Sequence, residues 1–190
     1  MKKITILLVA AAAVSMFGTS KALAENMTVG GGPMGQIFVV DANPELSPGV
    51  GGYLYFDYRW SPQLSTQFNI IVSTEDGKGR DKGDNGIEML AIPAIDFKYY
   101  ILSSESHWDP YLMIGIGLYA LSEGSRGNGT FAIGYGANAG LGVDYYLTEK
   151  WSVGLMASFR GIALIDSVSG DNNGKAIFPF SLAGNVGFHF

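Results

Sequence analysis

The sequence predicts an all-β fold, an eight-stranded antiparallel transmembrane β-barrel of the up-and-down kind, and three observations carry that prediction. Apolar residues alternate with small or polar ones over most of the chain, the period of a strand with two unlike faces. After residue 24 the longest apolar run is PYLMIGIGLYAL, from Pro110 to Leu121, whereas a spanning helix needs about 20 residues. Yet the chain is 47% hydrophobic and only 15% charged. A membrane chain without a spanning helix must close its strands on one another, because lipid offers no partner to an open backbone group.

The first element is an address. Met1, Lys2 and Lys3 make a short basic start, ITILLVAAAAV an apolar core, and Ala22-Leu23-Ala24 a small-residue cleavage site. These are the parts of a secretory signal peptide, over 1–24. Residues 25–190 then form the barrel domain of an exported chain.

Strands follow in order. Residues 27–40 are the least regular, blurred by Gly30, Gly31, Gly32 and Pro33. Residues 50–60 set Val, Gly, Leu, Phe, Tyr and Trp on one face against Gly, Tyr, Tyr, Asp and Arg. Residues 65–73 come next. In 87–101 a greasy odd face opposes Glu88, Leu90, Ile92, Ala94, Asp96, Lys98 and Tyr100, with Pro93 expected at a bulge or ladder break. Residues 111–121, 130–145, 151–164 and 176–190 complete the eight. The last carries Phe178, Phe180, Leu182, Val186, Phe188 and Phe190 on one side. Strands of about 9–11 residues suffice to cross.

The connections alternate in length. Tight ones fall at 61–63, 103–109 and 147–150, and longer polar ones at 41–48, 74–86, 122–129 and 165–175. Bacterial outer-membrane barrels alternate short periplasmic turns with long outside loops in this way. The three tryptophans sit at the tight turns. Tyr58, Trp60, Tyr99, Trp108, Tyr145 and Trp151 are expected to form an aromatic girdle at that interface.

Parity places Asp57, Arg59, Glu88, Asp96, Lys98, Asp144 and Arg160 on the lumen side. An eight-stranded barrel leaves room only for side chains, so these charges must pair. The expected arrangement is a lower cluster of Asp57, Arg59, Asp96, Lys98 and Asp144, with a Glu88–Arg160 pair nearer the long loops. Small, polar lumen faces argue for a plug rather than a pore.

Other chemistry finds little footing. There is no cysteine, which excludes disulfides, thiolate metal sites and thiol catalysis. A net charge of −5 disfavours nucleic acid. His107 and His189, the two histidines, both belong to the short-turn end, away from any outer-rim base. Asp81, Asp84 and Asn85 resemble part of a calcium loop, but the remaining ligand pattern is missing. No cofactor or metal is expected, and the chain reads as a non-enzyme.

The strand PFSLAGNVGFHF, the segment GGYLYFDYRWSPQLS and the hairpin GLGVDYYLTEKWSVGLMAS resemble the small outer-membrane β-barrel family of Gram-negative bacteria, the group of the OmpA transmembrane domain, OmpX and OmpW. The resemblance covers 25–190. It implies an outer-membrane location and makes Phe190 the assembly signal for the barrel-assembly machinery. It leaves three functions open: a structural or surface-interaction barrel with a plugged polar lumen and contact-making loops, a narrow OmpW-like channel for small apolar molecules, or a lipid-modifying barrel enzyme. The expected partners are outer-membrane lipid and lipopolysaccharide, and the expected state is a monomer.

Overall fold

Strands with one greasy and one small or polar face bury the second by curling until the sheet meets itself. In the computed structural model the sheet closes. The described residues are 26–39, 46–77, 87–102, 107–123, 130–167 and 176–190, so the address at 1–24 and the loop motif at 81–85 lie outside them. The strands are β1 Met27–Phe38, β2 Leu46–Ser61, β3 Leu64–Gly77, β4 Ile87–Tyr100, β5 Trp108–Glu123, β6 Thr130–Tyr146, β7 Trp151–Ser167, β8 Ala176–Ile177 and β9 Pro179–His189. β8 and β9 pair with β7 in one unbroken register, Ile162 with Ile177 and Phe159 with Phe180. They are a single stave, interrupted at Phe178 just before Pro179, which has no N–H to give the ladder. The barrel is therefore a closed, eight-stranded antiparallel one.

Each strand pairs with its sequence neighbour, and β9 returns to β1. The seam is fastened at its end: Met27 N–H donates to Phe190 O at 3.2 Å, and Phe190 N–H to Met27 O at 2.9 Å. Seven of the strands run from 12 to 17 residues, longer than the span alone requires. Stretches read as loop in the sequence, such as Thr74 to Gly77, continue the ladder instead.

The two faces separate as the alternation predicts. Leu54, Ile114, Ile116, Leu155 and Leu182 stand on the outside, each at least 60% exposed. Tyr53, Met113, Met156 and Ala183, their chain neighbours, are buried inside. Pro93 lies at a register shift, since β4 slips by one residue between Ala91 and Ala94 against β5 and correspondingly against β3. The slip reverses parity in the first half of β4: Leu90 is exposed and Ala91 fully buried, the opposite of the sequence expectation there. A one-residue shift moves every side chain beyond it to the other face.

Candidate functional site

The lumen divides into tiers along its length. At the end where the short turns and both described termini meet, the contents are charged. Lys98 and Asp57 form a buried pair, Nζ to Oδ2 at 3.3 Å, and Ser65 donates to the same carboxylate oxygen at 3.0 Å. The Lys98 ammonium also faces the Tyr111 ring at 4.4 Å from its centroid, an attraction strengthened by burial. Arg59 pairs with Asp109 at 2.8 Å, donates to the Tyr146 hydroxyl at 3.0 Å and to the Pro62 carbonyl at 2.6 Å, and stacks on Tyr100 at 3.9 Å. Tyr100 in turn reaches Asp144 at 3.5 Å.

The middle tier centres on Asp96. Its carboxylate accepts from Asn69 and from Asn138, each at 2.7 Å, and Gln67 donates to Asn69. Asp96 and Asn138 stand two strands apart, and Gly115 of β5 lies between them in register. Only a residue without a side chain lets them meet there, because a Cβ at Gly115 would fall on both side-chain oxygens. Arg160, 1% exposed, donates to Ser181 at 2.6 Å.

Toward the long-loop end the lumen turns mostly apolar, around a buried hydrogen bond from Gln36 Nε2 to Ser73 Oγ at 2.9 Å. Ile71, Ala91, Tyr119, Leu121, Ile162, Leu164 and Ile177 are buried there. Sequence reasoning expected a small, polar lumen throughout and undervalued these residues, although Ile162, Leu164 and Ile177 already sat on the lumen parity.

Six of the seven expected lumen charges are thus placed inside, most of them with side-chain partners. Glu88 is in β4, but its side chain is outside the described residues. The expected Glu88–Arg160 pair therefore lies outside the described residues; among them, Arg160 donates to Ser181. Asp109 was missed. It was assigned to a turn, yet it lies in β5 with only 7% exposure. Its signal was the parity of Tyr111 and Met113, which carries back two residues onto Asp109.

Around the turn end, Trp60, Trp108, Trp151 and Tyr99 are exposed on the outer wall, and Tyr58 and Tyr145 are half-buried beside them. Tyr58 packs edge-on to Trp60 with centroids 4.8 Å apart, and Trp108 lies 4.7 Å from Tyr145. The Trp60 indole N–H is satisfied by Thr66 Oγ1 at 2.8 Å, so an amphipathic ring stays outside without a stranded donor.

His189 bridges Thr28 and Ser152, at 2.8 Å each. A serine and a histidine do meet, then, but the second ring nitrogen faces a hydroxyl where a hydrolase triad holds a carboxylate. These groups share a cavity of about 120 Å³ with Tyr55, Asp57, Lys98 and Asp144. Among the described residues no three His, Asp or Glu side chains are grouped to hold a metal.

The family model for the outer membrane protein beta-barrel domain matches residues 6–190, and the chain belongs to that family. Its fold is shared with neisserial surface protein A, at TM-score 0.60 and 16% identity over 86% of this chain and 96% of that one. OprG from Pseudomonas aeruginosa aligns at TM-score 0.61 and 16% identity, over 88% and 97%. Ail, the attachment invasion locus protein of Yersinia pestis, aligns at 0.56 and 13%, over 87% and 99%. No curated protein matches the chain in sequence. Membership implies the outer membrane as its place.

Proposed function

We propose that the protein is a structural or surface-interaction barrel of the outer membrane, plugged through its lumen and making its contacts through the longer loops. The packed lumen carries this reading. Arg160, Tyr111, Tyr119, Ile162, Ile177 and Gln67 are each less than 2% exposed and project inward from four staves. The described space left beside the charged tier is about 120 Å³, and its polar lining suits ordered water. In this reading the short-turn end is periplasmic, and Tyr58, Trp60, Tyr99, Trp108, Tyr145 and Trp151 anchor it at headgroup depth. Phe190 serves assembly, the chain is exported through a cleaved signal peptide, and it acts as a monomer without catalysis.

The mostly apolar loop half of the lumen favours a second reading, a narrow channel for small apolar molecules. Planar-bilayer conductance of residues 25–190, beside Arg160→Leu, separates the two together with uptake of a small apolar dye into proteoliposomes. The plugged barrel is silent and admits no dye. Dye entry through the parent protein favours the channel, and steady small openings altered by Arg160→Leu overturn the plug.

A further inference from the structure

Between β2 and β3 a trough interrupts the apolar outer wall. Val50, Gly52 and Leu54 of β2 and Ile70, Val72 and Thr74 of β3 line it. Its volume is about 620 Å³, open along the outer wall. The floor is low because Gly52 carries no side chain: a Cβ there would meet only the Gly32 carbonyl oxygen, at 3.2 Å. Across the ladder Gly52 faces Val72 on one side and the flat ring of Pro33 on the other. Val50 and Leu54 rise above this floor, 71% and 65% exposed. The Thr74 hydroxyl, the polar group at one end, is satisfied by the Val50 carbonyl at 3.3 Å.

Gly52 and Trp60 share the outer face of β2. At about 3.4 Å per residue and a tilt near 40°, the trough lies roughly 20 Å from the aromatic end of an apolar band about 25 Å tall. It therefore belongs to the leaflet away from the aromatic rings. With the turn end periplasmic, that is the outer leaflet, built from lipopolysaccharide.

We propose that this trough is a binding site for a saturated acyl chain of the lipid A part of lipopolysaccharide. The inference rests on the orientation proposed above. Between protein and lipid the hydrophobic effect gives no preference, and van der Waals packing decides. A chain laid in the trough touches a floor and two walls, whereas a chain on the convex wall elsewhere touches protein on one side only. More atom pairs then sit at contact distance, and such contacts are individually tiny but collectively large.

Native mass spectrometry of the protein released from mixed micelles of lipid A and phosphatidylethanolamine tests the site. Gly52→Leu fills the floor. Val72→Phe fills the same space from the wall and leaves the Gly52 backbone untouched. Ala139→Leu adds bulk to an exposed position on β6, across the barrel. The parent and Ala139→Leu should retain lipid A, and both filling variants should lose it severalfold. Equal lipid A on all four proteins, or phosphatidylethanolamine as the retained lipid, overturns the proposal. Thiol accessibility of the turn end from outside the cell then tells which part failed: the orientation if the turn is reached, the acyl-chain site alone if it is not.

Discussion

Lys98 is the residue on which the inner charge balance turns. Its ammonium is buried at 4% exposure and answers Asp57 directly, with Tyr111 and Tyr55 rings around it at 4.4 and 5.5 Å. Removing one partner of such a pair strands the other charge in a buried site and costs about 3–5 kcal/mol, whereas removing both is often close to neutral. Lys98→Met should accordingly lower urea stability of the refolded barrel by about 3 kcal/mol. Asp57→Asn combined with Lys98→Met should recover most of that loss. Equal loss in the single and double variants would show that Lys98 acts through its packing on the tyrosines and not through the ion pair.

Across neighbouring strands, the middle tier depends on an absence. Gly115 allows Asn138 of β6 to reach Asp96 of β4 over the top of β5. Gly115→Val should break that charge-assisted bond and overpack the lumen, costing about 3 kcal/mol or more. Gly35→Val, on the exposed face with no atom within 4 Å of its Cβ, should stay within about 0.5 kcal/mol; chemical unfolding of both variants checks the contrast. The sequence made the inward side of Asp96 and Asn138 legible through period-two alternation, because parity needs no knowledge of neighbours. It could not pair them, since that requires the register between strands far apart in the chain. The same alternation misplaced Leu90 and Ala91 because a bulge resets the count, even though Pro93 announced the bulge. Asp109 was lost for a different reason: the strand begins three residues before the apolar pattern read from the sequence, and a polar residue near a tight turn reads as part of the turn.

For the whole molecule, the two ends differ in kind. One combines short turns, exposed tryptophans on the wall and paired charges within, and the other has a mostly apolar lumen, with the buried Gln36–Ser73 hydrogen bond, below long connections. Amphipathic rings favour headgroup depth at either interface, so they set the depth of this end, while short turns, which mark the periplasmic side of barrels in this class of membrane, carry the proposed orientation. The chain contains no cysteine, which makes any introduced thiol unique. Lys150 is exposed in the turn between β6 and β7, and its side chain enters none of the lumen pairs described above. In intact cells a membrane-impermeant maleimide should leave Lys150→Cys unlabelled and should label Lys78→Cys, in the segment that links β3 to β4. Permeabilising the outer membrane should make the first thiol reactive. Labelling of Lys150→Cys in intact cells would invert the barrel, move the trough at Gly52 into the inner leaflet, and leave the aromatic rings at the outer interface.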